Sequence, residues 1–86
     1  MRRTHEYFGE QDLSLIYVAT KLKHALRLEQ LLTEAGFDYL VESDEYCVGA
    51  IFRRLRVGAF FYVRPESRES AVAVMLENGY VPAVVK

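Results

Sequence analysis

The sequence predicts an α+β fold in which a four-stranded antiparallel sheet carries two helices on one face. Its 86 residues are enough for a single domain only. Segments with strand and helix character follow one another in the order βαββαβ, which is the ferredoxin-like pattern. A weak internal repeat supports this order, since it aligns Tyr17 with Tyr62 and Gly36 with Gly79.

The first half of the repeat predicts strand, helix and strand. Leu13–Thr20 is apolar and rich in β-branched residues, which indicates a strand covered on both faces. Apolar residues then recur at helical spacing over Lys21–Ala35, with Thr20 as the expected N-cap and Gly36 as the helix stop. Phe37–Ser43 alternates between apolar and polar residues and predicts a second strand.

The second half repeats the pattern. A third strand is expected from Arg56 or Val57 to Val63. Pro65 and the acidic residues after it predict a helix over Glu66–Asn78. Tyr80–Val85 is the expected last strand, at a sheet edge because Pro82 cannot donate a ladder hydrogen bond.

The chain is expected to consist of a flexible N-terminal arm, residues 1–12, and one domain, residues 13–86. The arm carries mixed charges without a sustained period. The lone cysteine, Cys47, fits a reducing compartment, and no segment resembles a signal peptide or a membrane span. We therefore expect a cytoplasmic protein with no membrane partner.

Composition argues against a general nucleic-acid binder, and the absence of catalytic motifs argues against an enzyme. The chain is 51% hydrophobic and has 11 basic against 12 acidic residues, so it lacks the basic excess of a general nucleic-acid binder. His5, His24 and Cys47 have no metal-ligand spacing, and no nucleophile–base pair or glycine-rich phosphate loop is present. We expect no catalytic residue, no metal and no cofactor.

The apolar surface exceeds what two helices can cover, so one sheet face is expected to be an interface. If Ile16, Val18, Phe61 and Val63 lie under the helices, the open face carries five others. These are Leu15, Tyr17, Leu40, Phe60 and Tyr62. The face predicts sheet-to-sheet or edge-to-edge self-association, with a dimer favoured; the alternative is that these aromatic residues belong to the core.

A long connection, from Asp44 to Leu55 or Arg56, separates the second and third strands and exceeds a tight hairpin loop. Its apolar residues Val48, Ile51 and Phe52 are expected to pack on the domain, on a neighbouring subunit or on another protein partner. Arg53, Arg54 and Arg56 form a candidate anion-binding cluster. The alternative is a solvated charge run paired with Asp44 and Glu45.

Two alternative functions are a small-anion sensor that uses Arg53, Arg54 and Arg56, and a single-stranded RNA- or DNA-binding module of RNA-recognition-motif type. That motif stacks bases on aromatic side chains of its two central strands, as Phe60 and Tyr62 would do here. Gly58 stands where the motif has a basic residue, and the chain is slightly acidic.

The segments EAGFDYLVE, EYCVGAIFRR and VGAFFYVRPE resemble a bacterial family of small PII-like proteins classed as signal-transducing. The resemblance extends over about Leu13 to Tyr80. It implies a ferredoxin-like fold, a regulatory role, and contacts to targets through the 44–56 connection. The expected function is thus a non-enzymatic, self-associating regulatory module.

Overall fold

A computed structural model describes the backbone of residues 1–48 and 54–83 and the side chains of residues 1–45 and 56–83. The described chain has an α+β structure with a four-stranded mixed sheet and three helices, which confirms the predicted class. The strands are β1 (Arg2–Arg3), β2 (Ser14–Ala19), β3 (Tyr39–Val48) and β4 (Arg54–Val63). The helices are α1 (His5–Phe8), α2 (Leu22–Glu34) and α3 (Arg68–Glu77), the last preceded by a 3-10 turn at Pro65–Ser67.

The sheet order is β1-β3-β4-β2. β3 and β2 each pair antiparallel with β4, whereas β1 pairs parallel with β3, with Arg2 opposite Tyr39. The prediction of an all-antiparallel sheet is therefore wrong at this edge. The difference comes from residues 1–12, which were expected to form a flexible arm but contribute an edge strand and a short helix.

The C-terminal strand expected over Tyr80–Val85 falls partly outside the described residues. Residues 80–83, which are described, form no strand. The Ala83 N–H nevertheless donates to the Ile16 carbonyl at 2.8 Å, so this segment lies along the outer edge of β2. Pro82 has no N–H to extend such a ladder.

The main core lies between the sheet and helices α2 and α3. It is formed by fully buried apolar side chains from both layers, among them Ile16, Leu28, Leu32, Phe61, Val63, Ala71 and Met75. Tyr39 joins it, with its ring stacked on Phe61 at a centroid distance of 6.1 Å. The Tyr39 hydroxyl donates to the Glu29 carbonyl at 3.0 Å, which satisfies the polar end of this buried ring.

The two main helices end as the sequence predicts. Gly36 and Gly79 follow α2 and α3 with φ of 84° and 83°, a left-handed conformation that glycine adopts without strain. The predicted N-cap is wrong, because α2 begins one residue later, after Lys21, and no side chain caps it.

Candidate functional site

The sheet face opposite α2 and α3 carries four of the five residues predicted for the open face. Leu15 and Leu40 lie on either side of Tyr62 in the strand register, and Phe60 lies two residues along β4 on the same face. Leu40 is buried, whereas the other three side chains are half-buried. The predicted open face therefore carries an apolar patch, and its Leu40 end is covered by another part of the chain.

Tyr17 lies on the opposite face, so its expected placement is wrong. A β-bulge between Leu15 and Tyr17 shifts the register, so that Tyr17 pairs with Phe61 and Val18 pairs with Phe60. The bulge places Ile16 and Tyr17 on the same, helix-covered side, which reverses the alternation after it. Val18, expected under the helices, is on the open face instead.

The N-terminal segment covers the Leu40 end of this open face. Phe8 is 4% exposed and Leu40 5%, yet both lie apart from the core under α2 and α3. An open pocket of about 280 Å³ lies between α1, the segment after it and the sheet, and its lining includes Phe8, Leu13, Leu40 and Tyr62. His5 Nε2 also contacts the Glu42 carboxylate. The chain thus supplies its own cover for part of the predicted interface.

Asp38 anchors this cover. Its carboxylate accepts from Arg3 Nε at 2.8 Å and from the Tyr7 hydroxyl at 3.0 Å, and Arg64 Nη1 lies 4.0 Å away. These contacts, led by the hydrogen bond from Arg3, hold the pKa of Asp38 below its usual value. The Arg3 and Arg64 guanidinium carbons also lie 4.3 and 5.3 Å from the Tyr7 ring centroid, and Arg64 lies 5.1 Å from that of Phe8.

The open face has an acidic margin. Glu42 lies opposite Phe60 in the register, and Asp44 lies opposite Gly58 on the same face. Burial raises the pKa of Tyr62, and the negative charges of Glu42 and Asp44 raise it further. Carboxylates here would repel a phosphate backbone, which disfavours base stacking on Phe60 and Tyr62.

The predicted long connection is largely a β-ribbon rather than a loop. β3 and β4 remain paired from Asp44 opposite Gly58 to Val48 opposite Arg54. β2 reaches only as far as Ala19, opposite Ala59, so β3 and β4 continue as a two-stranded ribbon beyond the end of β2. Sequence reasoning missed the extension because the charged residues interrupt the apolar alternation on which it relied.

The structure describes only some of the residues that were predicted to make contacts in the ribbon. Ile51, Phe52 and Arg53 lie outside the described residues, as do the side chains of Val48 and Arg54. Arg56 is exposed. Within the described chain, neither Arg56 nor the acidic residues Asp44 and Glu45 form an ion pair.

An apolar groove lies where the ribbon leaves the body of the domain. It has a volume of about 210 Å³ and lies between the start of α2 and residues 57–59 of β4. Leu22 and Val57 in its wall are 74% and 67% exposed, and Leu26, one helical turn from Leu22, is 55% exposed. The helical pattern had included Leu22 and Leu26, but the structure buries only Ala25, Leu28 and Leu32 of α2.

No protein-family model, curated protein or solved structure was found to match the chain. Across the described residues, no group of His, Cys, Asp and Glu side chains could hold a metal ion. No described helix is long and apolar enough to cross a membrane.

Proposed function

We propose that the protein is a small non-enzymatic interaction module that self-associates through the α2–ribbon groove. The carrying observation is the exposure of Leu22 and Val57, which line one apolar groove, with the exposed Leu26 one helical turn from Leu22. Contiguous apolar surface on a small domain marks an interaction site. The predicted open face is the weaker candidate, because Phe8 and its neighbours already lie over part of it.

A second copy of the chain is the proposed occupant of the groove. Arg56, Asp44 and Glu45 are exposed on one ribbon and form no ion pair with one another or with any other described residue. In a twofold dimer each ribbon presents both signs of charge to its partner, so the same contacts form twice. A two-stranded ribbon also has little stability by itself, and a partner ribbon would support it.

The finer fold assignment belongs to the same proposal. We infer a ferredoxin-like sandwich with an additional N-terminal edge strand, supported by the β3-β4-β2 order and by the Ala83–Ile16 hydrogen bond beside β2. A regulatory role, which the PII-like resemblance implies, is the biological setting that we propose for a self-associating module without catalytic residues.

Sedimentation velocity over a range of concentrations tests the self-association. We expect the wild-type chain to approach twice its 9.9 kDa mass and the double variant Leu22→Ser, Val57→Ser to remain a monomer. Val81→Ser is the matched control, because Val81 is 76% exposed but does not line the groove. It should associate like the wild type.

Two outcomes would contradict this assignment. A wild-type chain that stays monomeric at high concentration would overturn self-association altogether. A dimer that dissociates on Leu15→Ser but persists in the groove double variant would place the interface on the open face. Circular dichroism of each variant shows that it remains folded.

A further inference from the structure

A second cleft, distinct from the groove, lies between α2 and the turn that follows α3. Its volume is about 280 Å³. The lining combines two tyrosines, three basic side chains of α2 and the Asn78–Gly79 turn; these residues are Tyr17, Lys23, His24, Arg27, Asn78, Gly79 and Tyr80. Aromatic and basic groups therefore face one small concave space.

The aromatic wall of this cleft is held in place. The Tyr17 and Tyr80 rings meet edge to face, with centroids 5.2 Å apart and planes at 86°. The Tyr80 hydroxyl donates to the His24 carbonyl at 3.0 Å, and Tyr80 is 8% exposed. Tyr17 reaches this wall only because the β-bulge turns it to the helix side. A ligand ring would thus meet a preformed aromatic surface.

The basic wall is not neutralised by the described chain. Lys23 and Arg27 are exposed and four residues apart, so they share one face of α2 and repel each other. Neither forms an ion pair with any described residue. The positive charge of Arg27 acts on the Tyr80 hydroxyl and partly opposes the burial that raises the pKa of Tyr80. Arg27 therefore lies close to the aromatic wall.

We propose that this cleft binds a small aromatic anion, with its phosphate or carboxylate group against Lys23 and Arg27 and its ring against Tyr17. A guanidinium offers paired N–H donors to such an oxyanion, and an ammonium adds a point charge. The volume of about 280 Å³ lies just below the range for drug-sized ligands, which begins at about 300 Å³, so the cleft suits a ligand with a single ring. The site is separate from the predicted arginine cluster of the ribbon.

Titration with phenyl phosphate, followed by NMR of the backbone amides and by calorimetry, tests this site. We expect shifts at Tyr17, Arg27 and Gly79 and tighter binding than for inorganic phosphate or phenol alone. Arg27→Gln should weaken binding about tenfold, the effect of losing one charge-assisted contact. Arg56→Gln is the comparison variant for the competing site, since Arg56 belongs to the predicted arginine cluster of the ribbon, and it should leave the binding of phenyl phosphate unchanged.

Several results would overturn the proposal. Binding that is lost in Arg56→Gln and kept in Arg27→Gln would place the anion on the ribbon. Equal affinity for phenyl phosphate and inorganic phosphate would remove the role of Tyr17. Absence of shifts at millimolar phenyl phosphate in low salt would exclude the site. Sedimentation of the groove variants is independent of all three, so this inference and the proposed dimer fail or succeed separately.

Discussion

The two ends of the β3–β4 hairpin differ in how the chain surrounds them. At Tyr39 and Val63 the hairpin is flanked by β1 and β2, packed under α2 and α3, and covered on its other face by the N-terminal segment. From Asp44 and Gly58 onward the same two strands extend beyond β2. One end is therefore organised by contacts within the chain, whereas the other leaves apolar side chains exposed.

This difference shows that exposed apolar area is more informative than apolar composition. The covered end contains the most apolar segments of the sequence, yet Phe61, Val63 and Tyr39 are fully buried there by other parts of the chain. The ribbon end is more charged, yet its apolar Val57 and the nearby Leu22 remain 67% and 74% exposed. A partner surface is expected where no other part of the chain packs on the exposed apolar side chains.

The largest expected contrast between the two ends is in stability. Phe61→Ala should lower the free energy of unfolding by about 3–5 kcal/mol, because it leaves a cavity in the middle of the core. Val57→Ala should change it by no more than about 0.5 kcal/mol. Urea denaturation at a concentration where the chain is monomeric measures both. Similar losses would show that the ribbon end is packed as tightly as the core.

A smaller effect is expected from the anchor of the N-terminal cover. Asp38→Asn removes the charge that Arg3 and Arg64 face and should cost about 1 kcal/mol, as for a partly exposed ion pair. Tryptic cleavage after Arg3 should become faster because the cover detaches more often. Asp44→Asn, at the ribbon end, is the matched control and should leave that cleavage rate unchanged. Equal rates in wild type and Asp38→Asn would mean that Asp38 does not hold the segment.

The smallest expected effect is the pH dependence of the same anchor. The pKa of Asp38 is lower in the folded state than its usual 3.8, so its charge stabilises the folded state above about pH 4. This contribution should be lost as the pH falls below 4 through the folded pKa. Amide protection factors of residues 1–12, measured by NMR from pH 6 to pH 3, should decline in the wild type and change less in Asp38→Asn. Parallel declines would assign the acid sensitivity to other groups.

Local signals were sufficient for most of the domain body. Gly36 and Gly79 marked helix ends, and period-two alternation placed Leu40 and Tyr62 on one sheet face. The arm could not be predicted, because its two-residue strand and single-turn helix are too short to carry a period. Their stability depends on Asp38 and Leu40, which are distant in the sequence.

The candidate sites were less predictable than the fold. Leu22 and Leu26 fitted the helical pattern of α2, and no sequence signal separated them from the leucines that are buried. The cleft that unites Tyr17 with Arg27 and Tyr80 depends on the β-bulge, which has no signature in an apolar strand. The predicted anion residues Arg53 and Arg54 stay predictions.

The sequence by itself determined the α+β class, the C-terminal ends of the main helices and the surplus of apolar side chains, because turn residues and periodicity act over a few neighbouring residues. Only the tertiary structure decided which apolar side chains remain exposed. A side chain's burial depends on strand register, on a single bulge at Ile16 and on a segment that folds back across the sheet, and these are set by contacts between distant parts of the chain.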